Sequence, residues 1–398
     1  MEINYLIESQ TLDKLKLDII EAVKLIKQHI EDRHPILVRH HSDADGFSGG
    51  IAIERAILPL IYDTHSRERD MWGVYSRKPN MAPYYSYEDV NKDLAFFLSD
   101  KGKYEYKKPL VIIIDNGSSD QDVLALKKLK IYGIKTIVID HHPASKSAKE
   151  LIDTHINPHN VGSTYDFSAG MLCAEIAAIL NPNVEDMPLI AAISAYADKV
   201  KSKEKDEYSK LAHKKGYTDN YIKEMAEILD FEAGSLGFTD SKNLLDDFFG
   251  KDKEKQKMIV DMLKVEVERK RKDALESAKK YSHVSKTQNI NLVLVPMTTI
   301  SFRGEYPPLG KIVGMMHDFV SKQEDSKPTV SLGLADSMIT IRSTSDSNVD
   351  VNEIIKAAKQ RFPYAQIQGG GHAKAGSIKF IPAAYEEVKE FVLHEVRK

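Results

Sequence analysis

Three short apolar runs within the first 145 residues each end on acids, two of them with histidines beside, and no other feature of the sequence constrains the fold as strongly. "HPILVRHHSDADGFSGG", "KPLVIIIDNGSSD" and "GIKTIVIDHHPAS" all pass from branched apolar residues into a polar loop. After the first two loops the spacing of apolar residues turns helical, in "FSGGIAIERAILPLI" and "DVLALKKLK". Unbroken apolar runs of this length suit strands buried on both faces, as in parallel sheets covered by helices. Ligands of such sheets bind beyond the carboxyl ends of the strands, so the acid-bearing ends would share one edge. The expected fold class is therefore α/β, with a largely parallel N-terminal sheet flanked by helices.

The rest of the chain divides by composition. Residues 11–32 space Leu15, Ile19, Ile20, Val23 and Ile26 for an amphipathic opening helix. Between 201 and 289 the sequence becomes lysine-rich and helical in period, which predicts a charged, solvated helical connector. Beyond it, "NINLVLVP", "PTVSLGLAD" and "SMITIRSTSD" predict strands, and "VDVNEIIKAAKQRF" predicts a helix. The expected domains are a metal-binding unit over 1–200, the connector over 201–289, and a smaller C-terminal α/β domain over 290–398, which is a normal domain size. Cys173, the only cysteine, falls in "SAGMLCAEIAAIL" and is expected in the core.

Charge and hydropathy exclude other classes. With 56 basic and 59 acidic residues the net charge is -3, so no global field draws nucleic acid, and a phosphate-rich substrate must be met by a local cluster. No stretch reaches the roughly 20 apolar residues of a membrane span. The start, "MEINYLIESQ", lacks the basic-then-apolar order of a secretory signal, and a cytoplasmic protein is the expectation.

His41, Asp43 and Asp45 alternate, so an extended backbone would turn all three to one side. Converging acids repel unless a cation lies between them. With Asp115, His141 and Asp198 of "ISAYADKV" they form an oxygen-rich set assisted by imidazole, which suits Mn²⁺ or a similar ion. Paired ions in such a set are typical of phosphoryl hydrolases. Each piece also has a plainer reading. Ser42 or Asp43 could cap a helix beginning near Phe47, "IIIDNGSSD" could be a turn, and Asp198 could pair with Lys199 or Lys201. His155 and His159 read as loop histidines. Residues 63–89 interleave aromatics with basic residues, which fits base stacking and equally fits a packed excursion or a subunit interface. In the tail, Gly369, Gly370 and Gly371 permit close approach of a phosphate to backbone amides, or build a tight turn.

"SDADG", "DNGSSD", "DHH" and "ADK", in this order, resemble the successive motifs of the DHH phosphoesterases. "QGGGHAKAGS", residues 368–377, resembles the glycine-rich signature of the DHH-associated C-terminal domain found in RecJ-like nucleases, nanoRNases and cyclic-dinucleotide phosphodiesterases. The resemblance covers residues 36–200 and 290–385. It implies one ion held by His41, Asp43 and Asp115 and another by Asp45, Asp115, His141 and Asp198, with Mn²⁺ expected and Mg²⁺ as the alternative. His40 competes with His41, because RecJ-like members often carry another residue there. Asp140 would orient His141, and His142 would face the scissile phosphate. Gly369, Gly370, Gly371, His372 and Arg342 would contact substrate in a cleft between the two domains; on sequence alone Arg342 is a surface strand arginine and Lys374 a solvated lysine. The implied function is metal-dependent hydrolysis of single-stranded or short oligonucleotides. Hydrolysis of cyclic or linear dinucleotides is the alternative within enzymes, and a non-catalytic nucleic-acid-binding or complex subunit is the alternative outside them. The partners implied are single-stranded nucleic acid, oligonucleotides or dinucleotides, with no membrane and with a homodimer admitted.

Overall fold

The computed structural model describes residues 3–64, 74–80, 82–99, 107–236, 242–250, 252–287, 289–302, 304–323 and 327–398. It divides into two compact units, Met1–Lys264 and Val265–Lys398.

The first unit opens with helix α1 (Gln10–Glu31), whose Ser9 side chain caps it through the Thr11 amide and whose Leu15, Ile19, Val23 and Ile26 are fully buried. Then come β1 (Ile36–His40), α2 (Ala44–Thr64), β2 (Tyr75–Pro79), α3 (Tyr87–Ser99), β3 (Leu110–Ile114), α4 (Val123–Ile131), β4 (Lys135–Ile139) and β5 (Thr154–Ile156). The five strands form one sheet in the order β2-β1-β3-β4-β5, and every pairing is parallel. The apolar runs become strands because both faces are covered. Leu37, Val111, Ile113 and Val138 pack with Leu126 and Leu129 of α4 on one side. Ile114 meets α2 and the helix α5 (Ala169–Leu180) on the other, close to Gly49 and Cys173. A fully buried isoleucine contributes about 1.5–3 kcal/mol, so β3, with Ile112, Ile113 and Ile114 all buried, anchors this sheet.

Register decides what the edge carries. His40 lies opposite both Pro79 and Ile114, and Ile114 lies opposite Ile139. The residues that follow, His41, Asp115 and Asp140, therefore stand in one row at the carboxyl edge.

Neither β2 nor β5 is evident from apolar periodicity. β2 reads "YSRKP", and its Arg77 is tolerated inside because Nε bonds Glu54 of α2 at 3.0 Å and Nη1 meets His40 Nε2 at 3.2 Å. In the aromatic and basic segment Arg77 and Tyr85 are buried and Tyr87 is exposed, while residues 65–73 and 81 lie outside the described residues.

The lysine-rich stretch after 201 is not merely a solvated connector. Helices α7 (Lys203–His213) and α8 (Asp219–Leu236) pack on α6 (Met187–Ala197), and α8 also touches α2. α8 buries Ile222, Met225, Leu229 and Ala233 at helical spacing, a stripe that the surrounding charges mask in the sequence. Arg55 of α2 then holds the next helix, α9 (Lys242–Phe248), through Asp246.

Helix α10 (Lys253–Tyr281) leads into the second unit. There the strands are β6 (His283–Lys286), β7 (Asn291–Pro296), β8 (Thr329–Ala335), β9 (Met338–Ser343), β10 (Gln368–His372) and β11 (Ala375–Lys379). Their order is β10-β11-β9-β8-β7-β6, with β7 and β8 parallel and the other pairs antiparallel. Helix α11 (Leu309–Ser321) covers Val293 and Val295 on one face. On the opposite face α12 (Val351–Arg361) and α13 (Tyr385–Arg397) cover Leu292, Val330, Leu332, Ile339 and Ile341. No helix among the described residues is long and apolar enough to cross a membrane.

Candidate metal centre

The first motif does not stay extended. β1 ends at His40 and α2 starts at Ala44, three residues before the start expected from apolar spacing, so His41, Asp43 and Asp45 do not line up by alternation. Asp43 takes the capping position: its Oδ1 accepts from the Gly46 amide at 3.0 Å. Its Oδ2 lies 2.7 Å from His41 Nδ1, so one carboxylate both caps a helix and faces an imidazole. Gly46 is required for this turn, since a Cβ there would sit 2.2 Å from the His41 carbonyl oxygen.

Three overlapping donor sets result among the described residues, one of them Asp115, Asp140, His141 and His142. His41, Asp43 and Asp115 place nitrogen and oxygen atoms within 4.8 Å of one another, and so do Asp45, His141 and Asp198. Asp115 joins them. Its Oδ2 is 3.2 Å from His41 Nδ1, and its Oδ1 is 3.3 Å from His141 Nε2. Asp198, at the carboxyl end of α6, reaches His141 Nε2 at 2.9 Å, while Asp45 Oδ2 lies 3.8 Å from that nitrogen. Asp115 has φ +58°, a left-handed conformation that costs on the order of 1 kcal/mol, held where the strand end turns into the cluster.

His40 stands outside the cluster. It is fully buried, its Nδ1 donates to the His41 carbonyl at 2.7 Å, and burial with the neighbouring Arg77 pushes its pKa down to about 3. Such a neutral ring props up the backbone of its neighbour. His41, by contrast, is in the cluster: burial lowers its pKa, but Asp43 and Asp115 outweigh burial and raise it well above the ordinary value.

The DHH triplet continues the row. Asp140 Oδ1 accepts from the amides of His141 and His142 and from His142 Nδ1 at 2.8 Å. The carboxylate expected to orient His141 thus meets that residue through its backbone amide, and the ring it anchors is that of His142. Burial and His141 push His142 down while Asp140 and Asp115 push it up, and the net shift is upward. His142 keeps about a third of its side chain exposed, while His141 is almost fully covered. His155 bonds Ser118 through Nε2 at 3.0 Å, and Asn157 donates to the His142 carbonyl at 2.9 Å. These residues brace the triplet from below.

Asp45 is held most firmly. Its carboxylate accepts from the amides of Ala169 and Gly170 in the first turn of α5, and from the hydroxyl of Ser194. Burial, then Asp115 and Asp198, nonetheless push its pKa well above the ordinary carboxylate range. Sequence reasoning missed Ser194, although it lies four residues before Asp198 on α6 and so on the same helical face. It also missed the α5 amides, which no side-chain pattern can announce.

The donor chemistry fits divalent cations. The carboxylates of Asp43, Asp45, Asp115 and Asp198 converge with the imidazoles of His41 and His141, and Asp115 Oδ1 is buried without a well-formed hydrogen bond. Carboxylate oxygen with imidazole nitrogen, and no thiolate, could hold a divalent ion.

In the second unit, register sets His372, Ala375, Arg342 and Ser331 in one line across β10, β11, β9 and β8. The glycine signature is neither a loop nor a turn: Gly369, Gly370 and Gly371 form the edge strand β10, and the turn falls at Ala373 and Lys374. Arg342 is mostly buried beside Gly310 and Gly314 of α11. Lys374, expected in solvent, donates to the carbonyls of Ser347 and Val349 and ties the hairpin down.

Residues 35–204 match the model of the DHH family, N-terminal domain. The whole chain aligns with the solved DHH domain of a protein described as a member of a family of ribosomal proteins, at 33% identity and a TM-score of 0.94, covering 100% of this chain and 94% of that one. An uncharacterized protein of Methanocaldococcus jannaschii is 35% identical over 97% of this chain, and the chain spans 54% of that relative's length. The exonuclease RecJ bound to manganese shares the fold at 15% identity and a TM-score of 0.63, with 99% of this chain and 96% of that one covered. The chain belongs to the DHH family.

Proposed function

We propose that this chain is a metal-dependent phosphodiesterase acting on single-stranded or short oligonucleotides. One observation carries the reading: at the carboxyl edge of a parallel sheet, the buried Asp115 carboxylate stands between two donor sets, its Oδ2 3.2 Å from His41 Nδ1 of one and its Oδ1 3.3 Å from His141 Nε2 of the other. Family membership supports it, as does the shared fold of an exonuclease bound to manganese.

In this reading His41, Asp43 and Asp115 would hold one ion, and Asp45, Asp115, His141 and Asp198 would hold the other. Such a cation pair, when bound, would supply a nucleophile from water near neutral pH and would offset negative charge on a phosphoryl group. The protein's own groups do the rest. Asp140 fixes the His142 ring through Nδ1, so His142 is oriented to donate to a nonbridging phosphoryl oxygen. The α5 amides hold Asp45 in place through the reaction. Arg342, His372 and the amides around Gly370 would take a substrate phosphate, the guanidinium matching it with paired donors.

The decisive experiment offers end-labelled single strands of graded length, with cyclic and linear dinucleotides, to the protein in Mn²⁺. Mononucleotide release from strands, abolished by Asp115→Ala with the fold intact, is the expected result. Faster turnover of dinucleotides than of strands would transfer the assignment to dinucleotide hydrolysis. Absence of any cleavage would leave a binding subunit.

A further inference from the structure

Helix α8 lies beyond residues 35–204, yet one of its acids reaches into the first motif. Asp230 Oδ1 accepts from the Ala44 amide at 2.9 Å. Ala44 is the first residue of α2 and stands between Asp43 and Asp45, which belong to different donor sets.

The first amides of a helix have no partner within it. Asp43 satisfies the Gly46 amide, and the Ala44 amide is left to a residue 186 positions away. Capping alone could be done by a local serine or asparagine. Here a fifth carboxylate is brought to Asp43, Asp45, Asp115 and Asp198, at the positive end of the α2 dipole, which offsets part of the repulsion. α8 is seated for this task by Ile222, Met225 and Leu229, and it packs on α6, which presents Ser194 and Asp198. One helix thus braces both the Asp198 side and the Asp43–Asp45 side of the cluster.

We propose that Asp230 is a positioning residue of the metal centre: by holding the Ala44 amide it sets the directions in which Asp43 and Asp45 leave the first turn of α2, and so assigns them to separate ions. The proposal rests on the metal-centre reading above.

The test combines Mn²⁺ titration calorimetry with amide exchange at Ala44, for the wild type, Asp230→Ala and Asp230→Asn. Asparagine keeps an oxygen that can accept the same bond; alanine does not. Asp230→Ala is expected to weaken Mn²⁺ binding about tenfold, the loss usual when a group supporting a metal ligand is removed, and to speed exchange at Ala44. Asp230→Asn should restore both. Wild-type affinity in Asp230→Ala overturns the proposal, and so does an Asp230→Asn variant as weak as Asp230→Ala, since charge rather than the bond would then matter. If the wild type itself binds no Mn²⁺, the metal-centre reading fails. The exchange data then still decide on the bond: equal exchange in all three proteins overturns it, and protection lost only in Asp230→Ala upholds it.

Discussion

Asp45 and Gly170 are joined by a 2.8 Å hydrogen bond from the first turn of one helix to the first turn of another. The contact leaves no room for a side chain. A Cβ on Gly170 would lie 2.7 Å from Ser194 Cβ and 3.0 Å from Asp45 Oδ1. Gly170→Ala should therefore destabilise the protein by about 1–3 kcal/mol, as overpacking of a tight site does. It should also weaken Mn²⁺ binding, because Asp45 must shift. Urea unfolding and calorimetry check the two effects, and an alanine variant matching the wild type in both would refute this account of the α5 turn.

Cation binding should stabilise the fold. The carboxylates of Asp43, Asp45, Asp115 and Asp198 crowd around His41 and His141, and a divalent ion would offset more of their mutual repulsion than the two imidazoles do. An ion bound only by the folded state contributes about 2.7 kcal/mol at a hundred times its Kd. A Tm that rises with Mn²⁺, returns on adding a chelator, and barely responds in Asp115→Asn is the expected pattern. A Tm indifferent to Mn²⁺ and Mg²⁺ would count against the centre.

The tail glycines should separate fold from function. Gly371 has φ +139°, and a Cβ there would lie 2.4 Å from the Ala375 carbonyl oxygen, whereas a Cβ on Gly370 would meet nothing within 4 Å. Gly371→Ala should cost about 1–3 kcal/mol. Gly370→Ala should leave stability within about 0.5 kcal/mol of wild type while raising KM, because the added methyl stands over the amides offered to substrate. Thermal melts and steady-state kinetics distinguish the two, and an unchanged KM in Gly370→Ala would remove the strand from the binding surface.

Glu175 gives the fold a pH dependence away from the candidate centre. It is buried in α5, accepts from Tyr208 Oη at 2.5 Å and from the Leu6 amide at 2.8 Å, and burial pushes its pKa up from 4.5 to about 7. Between those values the folded chain keeps a proton that the unfolded chain releases, so stability falls as pH rises through this window. Above pH 7 the buried charge costs on the order of 3 kcal/mol. Glu175→Gln, which mimics the protonated form, should gain on the wild type steadily from pH 4.5 to 7.5 in denaturant titrations. Parallel pH profiles for the two proteins would show that Glu175 does not titrate in this way.

Much of the architecture is local enough to be written in residue order. The apolar runs before His41, Asp115 and Asp140 become β1, β3 and β4, because runs buried on both faces look the same in sequence and in space. β2 was invisible, since "YSRKP" carries an arginine that contacts with Glu54 and His40 make tolerable inside. The glycine signature was legible as a signature but not as a strand, because three glycines carry no strand propensity and β10 exists by pairing with β11.

By itself, the sequence determined the strand-and-loop order, the α/β class and the residue types that a metal centre needs. Tertiary structure decided the rest. It set His41 in the cluster and His40 in the core through the Arg77 contact, and it gave Asp43 both a capping and a facing oxygen. It also brought Ser194, the α5 amides and Asp230 to the motif from 124 or more positions away. Hydrogen bonds between distant backbone turns have no periodicity along a chain, and only parallel register and helix packing create them.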